Sequence, residues 1–192
     1  WEFSPKQTGI CAPLAKKFDL ITVREDSGAG LCKRYLGADA THVLDPTMLL
    51  SKEDYIRLCE AENEPRAEGT LFHYILDHDA MKTSFVGKVA AETGLKAFQV
   101  MPKRFIGNPT REDMKCRIGD FVFPRVTTWL RAFMDAEMTI VDSFHGAVFS
   151  IIFNKPFWVI KKEKRGMARF TSLLKMFHLE DRLVDEADLD NL

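Results

Sequence analysis

Paired cysteines are missing from this chain. Its four cysteines (Cys11, Cys32, Cys59 and Cys116) lie far apart, with no Cys-x-x-Cys pair. A disulfide framework needs closer pairing in a smaller secreted chain, so free thiols in a reducing, cytoplasmic setting are expected. The five histidines do not gather near the cysteines, which argues against zinc. Charge of one sign is missing too: 27 Lys and Arg face 28 Asp and Glu, a formal net charge of -1. Without a global basic field there is nothing to hold a nucleic-acid backbone, and an anion has to be caught by a local site. No apolar run approaches the roughly 20 residues of a membrane span; the stretch 147–153, broken by Ser150, is far shorter. Neither a signal peptide nor an initiating Met opens the chain, which starts Trp1-Glu2-Phe3-Ser4-Pro5 and reads as a piece of something longer.

What the chain does have is material for a core: 46% of its 192 residues are hydrophobic, enough for one globular domain spanning residues 1–192. Short β-branched runs alternate with amphipathic patterns. Strands are expected at residues 19–23, 42–44, 71–76, 96–101, 138–141 and 157–160. Helices are expected over 26–35, after Ser51 as a cap, and over 80–93 with Gly94 as a stop. Three more follow, over 128–136, over 145–153, and around Phe170, Leu173, Leu174 and Phe177. In the helix after Ser51, Tyr55, Leu58 and Cys59 are read as sharing one face, and in 80–93 Phe85, Val86, Val89 and Ala90 are read as facing inward. Residues 102–125 carry no regular pattern. The alternation predicts an α/β fold, a doubly wound, mostly parallel sheet of Rossmann-like type.

In such sheets ligands bind beyond the carboxyl ends of the strands, near the reversal of strand order. Those ends hold Arg24-Glu25-Asp26, Asp45, Asp77, Pro102-Lys103 and Asp142-Ser143-Phe144-His145-Gly146. The last is the sharpest segment. A strand passes into a wholly apolar helix through an acid, a hydroxyl, an imidazole and a glycine. A helix first turn has unpaired N–H groups and the positive end of the dipole, both attractive to anions. Gly146 lets a ligand approach the backbone, and His145 can exchange a proton near neutral pH. The competing reading is an ordinary cap by Asp142 or Ser143 with His145 merely packed. Arg24 has a fork suited to carboxylate or phosphate, or else pairs with Glu25 or Asp26 at the surface. Asp45 and Asp77 are bases or helix caps. Gly28 and Gly30 lack the third glycine of a dinucleotide fingerprint. The run Lys161-Lys162-Glu163-Lys164-Arg165, with Arg169, is a solvated loop or the source of one cation for a phosphate.

Three of these segments resemble the polysaccharide pyruvyl transferase family: Thr22-Val23-Arg24-Glu25-Asp26, Val43-Leu44-Asp45-Pro46-Thr47, and Val141 through Gly146, the last continuing from Val148 to Phe157. A weaker match follows at Arg169-Phe170, Ser172-Leu173-Leu174, Leu179 and Arg182. The resemblance implies a two-lobed enzyme like one glycosyltransferase class (GT-B), of which this chain is the carboxy-terminal, donor-side lobe and the amino-terminal lobe is absent. It implies transfer of a pyruvyl group from phosphoenolpyruvate to hydroxyls of a glycan in exopolysaccharide biosynthesis, with release of phosphate. Arg24 and His145 would carry the chemistry. Asp142, Ser143, Phe144, Gly146 and Arg169 would contact the donor, with no metal and no cofactor beyond that donor substrate. Ser143 stands where some members carry a basic residue. The alternatives are a nucleotide-sugar-dependent glycosyltransferase donor domain and a catalytically inactive binding domain.

Overall fold

The computed structural model describes residues 2–102, 118–161 and 167–191. Lys103, Cys116 and the basic run 162–165 lie outside the described residues. In chain order, helix α1 (Pro5–Ala15) starts at a capping box: Ser4 accepts from the Gln7 amide while the Gln7 side chain accepts from the Ser4 amide. Strand β1 (Thr22–Val23) leads into α2 (Asp26–Leu31), which continues as a π-helical turn, Cys32–Leu36. After β2 (Thr41–His42) comes a 3-10 turn, Pro46–Leu49, then α3 (Lys52–Ala61), capped reciprocally by Ser51 and Asp54. Then follow β3 (Leu71–Tyr74), α4 (Ala80–Thr93), β4 (Ala97–Phe98), α5 (Val126–Asp135), β5 (Met138–Val141) and α6 (Phe144–Ile152). The chain ends with β6 (Phe157–Lys161), α7 (Met167–Phe177), β7 (Leu183–Asp185) and a 3-10 segment, Glu186–Asn191.

The chain divides into two compact units. The first holds Trp1–Leu49 and Lys161–Leu183, the second Leu50–Ile160 and Val184–Leu192. The strands expected to form one sheet are divided as well. β1 and β2 pair only with each other, in parallel, while β3 to β7 make a five-stranded sheet in the order β4-β3-β5-β6-β7. Each pairing with a defined register in that sheet is parallel: Leu71 with Ala97, Leu71 with Met138, and Thr139 with Phe157. β1 and β2 are also shorter than expected, and Leu20 (72%) and Leu44 (37%), which were expected inside these strands, are exposed.

In the second unit the period of two sorts side chains onto two faces. Leu71, Ile75, Ile140 and Ile160 face Phe85, Val86 and Val89 of α4 together with Val184 and Leu189. On the opposite face Phe72 meets Phe98 and Phe133, and Trp129 packs edge-on against Tyr74, Phe133 and Phe149. Tyr55 joins this aromatic layer through Phe149. Helices therefore cover both faces, the doubly wound α/β arrangement. Leu58 does not share the buried face of α3: it is 46% exposed while Tyr55 and Cys59 are buried. At 100° per residue the stripe centres between 55 and 59 and leaves 58 on its flank. Among the described residues, no helix is long and apolar enough to cross a membrane.

Candidate functional site

Strand order reverses between β3 and β5: from β3 the chain moves to β4 on one side, then returns to β5 on the other. This is the topological switch point, the place where ligands bind in open α/β sheets. β5 delivers Asp142-Ser143-Phe144-His145-Gly146 to that edge, and each residue has a distinct placement.

The Asp142 carboxylate is 4% exposed and accepts from three protein donors. Its Oδ1 takes the Leu76 amide at 2.7 Å; its Oδ2 takes the Asp77 amide and the Lys82 Nζ, both at 3.1 Å. It thus ties the turn after β3 to the start of α6. Ser143 is the N-cap, its Oγ accepting from the Gly146 amide at 2.9 Å. Gly146 is where helix and strand come closest: an added Cβ would lie 2.8 Å from both Ser143 Oγ and Val141 Cβ. The Gly146 carbonyl accepts from Ser150 Oγ at 2.8 Å, and Ser150 in turn meets Thr139 Oγ1 of β5 at 2.6 Å. Phe144 is buried, with its ring 5.4 Å from the imidazole of His145 in edge-on contact. His145 alone of the five is exposed. Beside them Tyr74 ends β3, its hydroxyl pKa pushed up by burial and by the Asp142 charge, so it stays a proton carrier at neutral pH.

Lys82 escaped the sequence reading. It is 1% exposed, donating to the Asp77 carbonyl at 2.9 Å as well as to Asp142. Its signal was available: 82, 85, 86 and 89 form one apolar-period stripe of α4, and a lysine there breaks the pattern. Asp77 contributes its backbone groups here, and the cap of α4 is Asp79, which accepts from the Lys82 amide at 2.8 Å.

In the first unit Arg24 follows β1. Its Nη1 donates to Asp45 Oδ2 at 2.8 Å and its Nε to Glu25 at 3.3 Å. Burial disfavours the Arg24 charge, but the Asp45 and Glu25 carboxylates outweigh it and raise the pKa. Asp45 also accepts from the Thr47 amide at 3.0 Å and the Thr47 hydroxyl at 2.7 Å, as a cap does. Two of the motif segments, around Arg24 and around Asp45-Pro46-Thr47, therefore interlock directly. The surface pair expected with Glu25 or Asp26 is thus the one with Glu25, and Asp26 is linked to α7: Ser172 Oγ takes the Asp26 amide at 3.1 Å and donates to its carboxylate at 2.9 Å. That hydroxyl, then the Ser27 amide, lowers the Asp26 pKa. Arg169, also on α7, lies with its guanidinium 5.7 Å from the Phe170 ring centroid, and its Nε is buried with no hydrogen-bond partner among the described residues. Arg24 and Arg169 belong to the first unit, and the Asp142 to Gly146 turn to the second.

A search of curated proteins returns no match. The family model described as polysaccharide pyruvyl transferase matches residues 2–161. That span includes all three segments around Arg24, Asp45 and His145, and the chain belongs to the polysaccharide pyruvyl transferase family.

Proposed function

We propose that this chain forms the donor side of an enzyme that moves a pyruvyl group from phosphoenolpyruvate to a pair of glycan hydroxyls, releasing phosphate. The observation that carries the reading is the exposed His145 imidazole on a fixed helix first turn at the switch point, in a chain whose family is that of pyruvyl transferases. Phosphoenolpyruvate becomes electrophilic at its central carbon once its methylene carbon is protonated, and His145 is the proton donor for that step. One sugar hydroxyl adds to the central carbon, phosphate departs with cleavage of its carbon–oxygen bond, and the second hydroxyl closes the ketal. Of the two hydroxyl protons, one restores His145 and the other leaves on phosphate, so atoms and charge balance.

The donor's carboxylate and phosphate need fixed cations and N–H groups. Arg24 is assigned to one of these anions, where it exchanges part of its pairing with Glu25 and Asp45 for the ligand. Arg169, whose buried Nε has no hydrogen-bond partner among the described residues, is a second cation assigned to the donor. The first turn of α6 supplies the positive dipole end, with Asp142, Ser143, Phe144 and Gly146 shaping that turn around His145. The scheme requires neither cofactor nor metal.

The acceptor glycan is assigned to a further lobe. In support, the first unit exposes Phe18 (69%) and Leu20 (72%) beside a sheet of only two short strands, a size marginal in isolation. A reducing, cytoplasmic setting is consistent with the free thiols of Cys11, Cys32 and Cys59. The test is a coupled phosphate-release assay of the full-length enzyme with phosphoenolpyruvate and candidate glycans. Release that depends on both substrates supports the reading; release from a nucleotide sugar in place of phosphoenolpyruvate defeats it.

A further inference from the structure

Lys82 is the one charged residue on the buried stripe of α4, at a position whose companions are Phe85, Val86 and Val89. An apolar residue would satisfy the packing, and a buried charge is tolerated only when paired and hydrogen-bonded. Its ammonium finds both conditions at the switch point: Asp142 Oδ2 at 3.1 Å, the Asp77 carbonyl at 2.9 Å, and Asp79 Oδ2 at 3.7 Å. Asp142 also accepts from the Leu76 and Asp77 amides. One buried cation therefore holds together the turn after β3, the start of α4 and the residue before the Ser143 cap. His145 stands two residues beyond that cap.

We infer that Lys82 is a positioning residue for the donor site, acting through Asp142 to fix the β3 turn and the first turn of α6. Its charge has a second effect. Asp142 alone would place an uncompensated carboxylate at an edge meant to receive an anion, and Lys82 neutralises it there. Breaking such a pair leaves a stranded buried charge, whereas removing both members leaves none. The inference rests on reading the switch point as the donor site, and its two consequences separate the claims.

The test compares the 192-residue chain with Lys82→Met and with Lys82→Met/Asp142→Asn, the second keeping the question open if the first fails to fold. Amide hydrogen exchange reads the geometry without any ligand. The Leu76 and Asp77 amides should exchange about 10-fold faster in Lys82→Met, because the Asp142 carboxylate that accepts from both is no longer held by the ammonium, with the Val159 and Ile160 amides of β6 unchanged. In the double variant folding should be recovered while one of the two amides stays unprotected, because an Asn side chain offers a single acceptor oxygen. Calorimetry with phosphoenolpyruvate should show affinity about 10-fold weaker in Lys82→Met and partly regained in the double variant, as the stray carboxylate is gone. Unchanged exchange at Leu76 and Asp77 in both variants overturns the positioning role. If exchange changes but wild-type chain takes up no phosphoenolpyruvate, the positioning role stands and the donor assignment falls. Equal affinity in all three proteins, with exchange altered, confines Lys82 to structure and defeats the inference.

Discussion

His145 stands on a turn whose other residues are occupied in building it. Asp142 bonds the β3 turn and Lys82, Ser143 caps, Phe144 is buried, and Gly146 gives the helix room against Val141. Of the two readings open at the sequence level, the cap is realised by Ser143, whose Oγ accepts from the Gly146 amide, and the active turn is the proposal that His145 carries. His145→Ala should abolish pyruvyl transfer by the full-length enzyme and leave the fold intact, since the lost ring is exposed and gives up its edge-on contact with Phe144. Activity comparable to wild type would remove the general-acid assignment. Ser143→Ala should cost about 1 kcal/mol in a denaturant melt, the worth of an N-cap, with milder loss of activity. Gly146→Ala should be worse, about 1–3 kcal/mol, because its new Cβ meets Val141 of the same packed turn and not a flexible tip. Stability equal to wild type would show that the helix can move away from β5.

At the scale of elements, what could be read in the sequence was what carries its signal locally. α4 begins and ends where expected, at Ala80 and Thr93, because Gly94 closes it at φ 69° and Phe85, Val86 and Val89 mark its buried stripe. β5 matches residues 138–141 for the same reason, a run bounded by a cap. The π-helical turn at Cys32–Leu36 and the last strand, β7, have no such local signature, and α1 hides its capping box behind Gly9 and Pro13. The pairing of β1 with β2 alone, and the Lys82–Asp142 pair, are long-range facts that periodicity does not encode. Gly94→Ala should cost about 1 kcal/mol, from left-handed backbone alone, as none of the described residues packs within 4 Å of the added carbon. His73, on β3, tests the sheet interior: its Nδ1 is buried without a hydrogen-bond partner among the described residues. Burial, then the nearby His78, lowers its pKa. The unfolded chain therefore takes up this proton first as pH falls. Stability is full above the ordinary histidine value of about 6.5 and is lost as pH drops through it toward the folded value. His73→Gln should flatten that slope in pH-dependent urea melts; an unchanged slope would place the titration elsewhere.

For the whole molecule, the family and the doubly wound sheet are shown, while the site and the identity of the donor are the proposals most exposed to test. Transfer needs donor and acceptor held in near-attack geometry, an arrangement worth about 7–11 kcal/mol. With the acceptor assigned to a further lobe, the isolated chain should fold, bind donor weakly and not turn over; steady phosphate release by it with a glycan present would show that no further lobe is needed. The most direct measurement is calorimetric titration of the chain with phosphoenolpyruvate alongside a panel of nucleotide sugars. Saturable heat with phosphoenolpyruvate only, reduced in Arg24→Ala, is the result expected from a pyruvyl donor site. Saturable binding of a nucleotide sugar with no heat from phosphoenolpyruvate would contradict it.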